Sequence, residues 1–407
     1  MKRVIVVGGG ASGMISAYYS AMRGMDVVLI ERNEKLGKKI YITGKGRCNV
    51  TASVDSRDFL QNIPTNPKFL QSAIYSFSPS DMMELLNRYG LELVVERGNR
   101  VFPKSQHASD VIKTLTRMLD EANVKVKLNE RVKKISKTNE IFDVETDLGS
   151  YECDAVIIAT GGFSYKMTGS SGDGYAFAKS LGHKVTPLLP ALVGIETKEN
   201  LSSLAGLSLK NVSLTAYLGE KALGNEFGEM LFTHTGLSGP IVLSLSSIIN
   251  KKPLSEIRLV LDLKPALDEK TLDNRILRDF EKNKNKEFKN SLDELLPKSL
   301  IPFIIERSGI SKDKKVNSIT AVERQRLLFT LKNLEFKVKK LGDIDTAIVT
   351  SGGVDVKEIN PKNMESKLVK NLHFTGEVID VDGLTGGYNL QIAFSTGYLA
   401  GNNILND

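Results

Sequence analysis

Residues 2–31 read KRVIVVGGGASGMISAYYSAMRGMDVVLIE, and this stretch decides the fold. The apolar run at residues 4–7 predicts a buried parallel strand, which breaks into Gly8, Gly10 and Gly13 at G-x-G-x-x-G spacing. Each glycine has its own reason to lack a side chain. Gly8 makes the tight turn, Gly10 lets a pyrophosphate approach the backbone, and Gly13 lets helix pack on strand. The helix that follows turns its free N–H groups and the positive end of its macrodipole toward the phosphates. A second strand at residues 27–30 ends at Glu31, whose carboxylate can accept hydrogen bonds from ribose hydroxyls. A glycine spacing alone would be a weak signal. Strand, glycines, helix, strand and acid in this order predict a dinucleotide site.

The 407 residues suggest two or three domains, and 41% hydrophobic with 25% charged residues is the balance of an ordinary soluble globular protein. No apolar run approaches the roughly 18 residues of a membrane span, and the first strand leaves no room for a leader ahead of it. A cytoplasmic protein without membrane contact is expected. The two cysteines, Cys48 and Cys153, form no C-x-x-C, so a disulfide scaffold, a zinc ribbon or a flavin-linked dithiol is not indicated, and no metal site is expected. Redox chemistry would have to come from a bound cofactor. The net charge of +7 draws on lysines concentrated beyond residue 263, which is more often solvation than a partner site.

Further along, Gly44-Lys45-Gly46-Arg47-Cys48-Asn49 supplies many donors and little bulk, as a loop lying along the same ligand would. Residues 67–90 predict one helix, 110–122 another, and 124–128, 132–135 and 142–146 a small antiparallel sheet. Residues 154–162 return to a buried strand ending in Ala159, Thr160 and Gly161. From residue 192 the pattern is short strands, followed by amphipathic helices at 271–284, 291–296, 300–308 and 320–333. Near the C-terminus a strand delivers Gly376 and Glu377, and Gly386-Gly387 open a terminal helix at 392–404. The expected division is a nucleotide domain at 1–189 and 351–407, a β-rich domain at 190–263 and 334–350, and a helical insert at 264–333. The fold class is α/β: a Rossmann-like parallel sheet completed by the C-terminus and interrupted by the β-rich domain.

VVGGGASGM, KIYITGKGRCNVT, GNRVFPKSQHASDV, GSSGDGYAFAKSLGH, FTHTGLSGP and TGEVIDVDGLTGGYNLQIAFSTG together resemble the aminoacetone oxidase family of FAD-binding oxidoreductases, also called BaiN-type flavoproteins. The resemblance covers essentially the whole chain and implies tightly bound FAD. Carried over by position, it puts Gly8, Gly10, Ala11, Ser12 and Gly13 at the pyrophosphate and Glu31 with Arg32 at the adenosine ribose. It lines the cofactor with Lys39, Gly46, Arg47, Cys48 and Asn49, sets Val132 against adenine, and lays Ala159, Thr160 and Gly161 over the diphosphate. Gly376 and Glu377 would meet the ribityl chain, and Gly387, Tyr388, Asn389 and Leu390 the flavin ring. Many members read Ser-Gly-Gly-Gly-Arg-Cys-Asn where this chain has Thr43-Gly44-Lys45-Gly46-Arg47-Cys48-Asn49, so Lys45 adds a charge there.

Flavin chemistry runs through N5, with the protein supplying position, electrostatics and water exclusion. No second G-x-G-x-x-G marks an NAD(P) domain, so NAD(P)H is expected only as a transient electron donor. His234, in Phe232-Thr-His-Thr-Gly-Leu-Ser-Gly-Pro240, is the first candidate for a proton donor, against the alternative of a histidine that holds its turn. Tyr388 is a candidate to orient substrate, against plain aromatic packing. The leading function is NAD(P)H-dependent reduction of a conjugated C=C bond in a small molecule, the alternative an amine oxidase releasing hydrogen peroxide. An RNA-modifying flavoprotein, suggested by Lys282, Lys284, Lys286, Lys289, Lys312, Lys314 and Lys315, is less favoured because no aromatic residues interleave with them. A non-catalytic flavin sensor is the remaining class. Substrate identity and oligomeric state stay open.

Overall fold

The computed structural model describes residues 1–406. Strand β1 (Arg3–Val7) is buried at every residue after Arg3. It pairs in parallel with β2 (Asp26–Ile30) on one side and with Ala155–Ile158 on the other. Lys125–Lys127 extends the sheet beyond β2, and Leu372–Phe374 extends it beyond Ala155–Ile158, both again parallel. Strands buried on both faces read as continuous apolar runs, which is why β1, β2 and Ala155–Ile158 lack alternation, whereas Lys125–Lys127 at the sheet edge exposes both lysines. The two ends of the chain therefore share one sheet.

Helix α1 (Ala11–Met22) follows the glycine turn, and the terminal helix Tyr388–Asn403 crosses it. The crossing is close because a Cβ at Gly397 would lie 2.5 Å from Ser12 O, and one at Gly401 2.5 Å from Ser16 O. The terminal helix starts at Tyr388, a turn earlier than the expected 392, because Gly387 takes the N-cap position.

Two expectations in this unit are corrected. Residues 124–128 do not join an antiparallel sheet: Lys125–Lys127 belongs to the parallel one, and the antiparallel sheet consists of Val132–Thr138, Ile141–Thr146 and Ser150–Cys153. Residues 67–90 are not one helix but Pro67–Leu70, Gln71–Ser76 and Pro79–Arg88. Pro79 lacks the N–H that would continue the helix, and Ser78 with Asp81 forms a capping box that starts a new one.

The chain divides into two compact units, Leu192–Gly342 and the remainder on either side of it. Residues 343–350, expected in the β-rich domain, lie in the first unit, where Val349–Ser351 pairs with Leu189–Ala191. The second unit holds a closed barrel of Ile195–Thr197, Gly236–Ser238, Lys221–Phe232, Ser208–Leu218, Ile257–Asp262 and Leu334–Leu341, in spatial order. Lys221–Phe232 closes onto Gly236–Ser238 through Leu231 and Phe232. Helices Glu269–Lys282, Ile301–Ser308 and Ala321–Lys332 are inserted before the last barrel strand. Residues 291–296, expected as helix, form turns, with Ser291 Oγ donating back to Phe288 O. Among the described residues no helix is long and apolar enough to cross a membrane.

Candidate functional site

Gly10 is the N-cap of α1 and brings no side-chain cap, so the first N–H groups of the helix are free for a ligand. Gly8 has φ +108°, and a Cβ there would lie 2.6 Å from Ala159 O. A Cβ on Gly13 would lie 1.9 Å from Gly8 O, whereas one on Gly10 would meet no heavy atom within 4 Å. The outer two glycines are demanded by the protein's own packing. The middle one faces open space, the shape a pyrophosphate requires.

At the ribose end the Glu31 carboxylate is buried and aimed by its partners. Its Oε2 accepts from Gly9 N at 2.7 Å and its Oε1 from Asn33 N at 2.8 Å. Glu130 N donates to Glu31 O at 3.1 Å, which brings the start of the Val132 strand to the same place. Arg32 donates to Ser171 and Asp173, and Arg131 grips Asp173 bidentately at 2.9 Å through both bonds. Burial opposes ionisation of Asp173, but Arg131 and Ser171 outweigh it and hold the carboxyl below its usual range. Arg131 escaped sequence reasoning, since nothing in its local spacing marks it.

In the loop at residues 43–49, Lys45 and Cys48 both have φ +59°, a conformation non-glycine residues adopt at a cost of about 1 kcal/mol. Cys48 is buried, and burial pushes its thiol up to about 12. Asn49 Oδ1, Thr51 Oγ1, Thr160 Oγ1 and Thr375 Oγ1 are buried with no hydrogen-bond partner. A Cβ on Gly387 would lie 2.4 Å from Thr51 C, so the Asn49–Thr51 segment lies against the N-terminus of the terminal helix. Orphaned buried groups cost about 1–3 kcal/mol each unless a ligand satisfies them. The open glycine, the oriented ribose acid, the orphaned acceptor Asn49 Oδ1 and the positive helix end fit the phosphates, ribose, N–H edge and electron-rich pyrimidine of FAD.

Several of the expected ligand residues also have partners within the protein. Lys39 Nζ donates to Glu377 Oε2 and Ser164 Oγ, and Glu377 Oε1 accepts from Thr350 N, so both charged groups brace loops. Arg47 donates to Glu96 and to Gln106 Oε1, with its guanidinium 4.0 Å from the Phe102 ring centre. Asn389 closes the Gly383 turn, accepting from Gly383 N at 2.9 Å and donating to Gly383 O at 2.8 Å. Tyr388 packs on Phe59 with rings 4.9 Å apart. Each of these side chains thereby holds a neighbouring loop or turn in place.

Ala11 and Ser12 open α1, and Gly376 sits against Ser12, where a Cβ would lie 2.6 Å from Ser12 Oγ. Gly46 faces open space at φ +85°, and Gly161 lies by Ser170. Leu390 is half-buried in the first turn of the terminal helix. His234 lies in the second unit, exposed at the turn joining Lys221–Phe232 to Gly236–Ser238. Thr233 and Gly236 hold that turn, and among the described residues the imidazole makes no hydrogen bond.

A family model described as the HI0933-like protein Rossmann domain matches residues 2–403. The chain is 32% identical over 405 residues to the 3-dehydro-bile acid delta(4,6)-reductase of Clostridium scindens, covering 98% of each chain. It is 32% identical over 402 residues to the ribosomal RNA dihydrouridine synthase of Haemophilus influenzae, covering 97% of this chain and 96% of the relative. Among solved structures, a flavocytochrome c3 fumarate reductase in its open conformation superposes with a TM-score of 0.51 at 18% identity, over 99% of this chain and 78% of that one, which shows a shared fold. A match from residue 2 to residue 403, on a parallel sheet whose glycine turn is built for a dinucleotide, makes this chain a member of the HI0933-like Rossmann family.

Proposed function

We propose that the protein is an FAD-dependent reductase of a C=C bond conjugated to a carbonyl, with NAD(P)H as a transient electron donor. The observation that carries the cofactor is the glycine turn, closed at Gly8 and Gly13 and open at Gly10, facing uncapped N–H groups of α1. Its support for the reaction is chemical. The names of the two full-length relatives describe the same bond change, since a 3-oxo Δ4,6 steroid and a uracil ring both present C=C conjugated to C=O.

When bound, FAD supplies hydride transfer through N5. The chain's own residues do the rest. The N-terminus of Tyr388–Asn403 would supply positive potential to the charge that the pyrimidine end of the flavin gains on reduction. Asn49 Oδ1, buried without a partner, would be the acceptor for the ring N–H and would set its orientation. His234, whose imidazole makes no hydrogen bond among the described residues, would be the group that holds the proton for the carbon next to the carbonyl.

The test is anaerobic. NADH or NADPH is added to purified protein, followed by a 3-oxo-Δ4 steroid. Flavin that bleaches and is reoxidised by the steroid supports the reductase, and His234→Ala keeps the flavin but loses reoxidation. Flavin that bleaches only with an amine, and reoxidises with oxygen to give hydrogen peroxide, replaces the reading with an oxidase.

A second reading, reduction of uridine within RNA, is favoured by the Haemophilus influenzae relative and by the net charge of +7. Both readings use one bond change and differ in the size of the substrate. Ribosomal RNA incubated with reduced protein and digested to nucleosides would show dihydrouridine by mass.

A further inference from the structure

The lysines that suggest RNA in the sequence are largely spent on acids. Lys282 pairs with Glu294, Lys284 with Glu281, Lys289 with Asp313 and Lys314 with Glu323. Arg324 is likewise held by Asp273. Among the described residues Arg307 and Arg326 enter no ion pair, and both are exposed. They converge, because a Cβ on Gly309, which caps the helix containing Arg307, would lie 3.5 Å from Arg326 Nη1.

On Ala321–Lys332, the residues Val322, Gln325, Arg326 and Phe329 follow i, i+3, i+4 and i+7 spacing and share one exposed face. The opposite side buries Leu327, Leu328 and Leu331, so the insert's core does not need Phe329. Phe329 is 61% exposed and Val322 71%. Together with Arg307 they line a cleft of about 690 Å³. A groove for a partner helix would present a continuous apolar stripe. Here an exposed aromatic ring lines the cleft with two guanidiniums that enter no ion pair among the described residues, Arg307 lying 5.1 Å from the Phe303 ring centre, and aromatic ring with arginine is the combination that holds single-stranded nucleic acid by stacking and phosphate contact.

We propose that this cleft docks a single-stranded RNA segment, with Phe329 stacking a base and Arg307 and Arg326 each facing a phosphate. The proposal rests on the RNA reading given above and names the surface that would hold the strand. It also supplies the aromatic element that the sequence pattern lacked.

The experiment is fluorescence anisotropy of a fluorescein-labelled oligouridine with the full-length, flavin-loaded protein at increasing salt. Phe329→Ala is expected to weaken binding about tenfold. Arg307→Glu/Arg326→Glu weakens it further and reduces the slope of log affinity against log salt by about 1.4, two phosphate contacts on a single strand. A general loss of structure would not change that slope selectively, and both variants keep the wild-type rate of flavin bleaching by NAD(P)H. Equal affinity and slope in all three proteins, or no binding by the wild type, overturns the proposal. If sedimentation shows the variants losing self-association while oligouridine binding is unchanged, the cleft is a contact between copies and the proposal is likewise overturned. The RNA reading is judged separately. It falls only if the protein leaves uridine in ribosomal RNA unreduced, whatever the cleft binds.

Discussion

Lys39 Nζ lies 2.7 Å from Glu377 Oε2, tying the segment after β2 to the end of the sheet's last strand. Ser164 and Thr350 N complete the shell around the same carboxylate. The two side chains are only 23% and 19% exposed, so removing one strands the other. Lys39→Met is expected to destabilise the protein by about 1–3 kcal/mol. Adding Glu377→Gln is expected to cost much less than the sum of the single changes. Denaturation midpoints of the four proteins in the cycle check this, and strict additivity would show that the pair does not couple.

Gly10 and Gly13 separate cofactor binding from folding. Gly13→Ala drives a methyl into Gly8 O and is expected to lower stability of the apoprotein by more than about 2 kcal/mol. Gly10→Ala meets no protein atom, so apoprotein stability stays within about 0.5 kcal/mol of wild type while the flavin is lost. Visible spectra and thermal melts of the two variants make the comparison.

Acid sensitivity is expected from the buried histidines. His373 lies in the sheet with Nδ1 3.1 Å from Asn363 O, and burial lowers its pKa to about 4 against the opposing charge of Glu365. Burial also lowers the pKa of His183, which bonds Ser366. The unfolded chain takes up protons from about pH 6.5 downward while the fold refuses them. Stability is therefore full above that pH and falls toward pH 4, by on the order of 3 kcal/mol for His373. His373→Gln removes that share, and urea midpoints measured from pH 7 to pH 4 report it.

Cys48 is expected to be inert. With its thiol buried and its pKa pushed up to about 12, it should not react with iodoacetamide in the native protein. Cys48→Ala should keep the flavin spectrum unchanged. Rapid labelling of the native protein would contradict this.

The parallel sheet and the glycine turn were legible because their signals are local: apolar runs and glycines at fixed spacing. Lys125–Lys127 was misplaced because three residues carry no period, and only pairing with β2 gives them their sheet. The contact of Gly397 and Gly401 with α1 was invisible for the opposite reason, since glycine inside a helix reads as a weakness until a second helix lies against it. Lys39 and Glu377 were each expected at the cofactor. Their mutual attraction spans most of the chain and leaves no trace in local pattern.

The sheet that begins at Arg3 is finished by Leu372–Phe374 and clamped by Tyr388–Asn403. A chain emerging from the ribosome therefore displays its glycine turn more than 350 residues before the strand and helix that complete it. The barrel unit, whole by residue 342, can fold while the nucleotide unit still waits for its final strand and helix. Loading of the cofactor thus waits on Leu372–Phe374 and Tyr388–Asn403, and a truncation that removes only the terminal helix is expected to leave the glycine turn intact in sequence and unable to hold flavin.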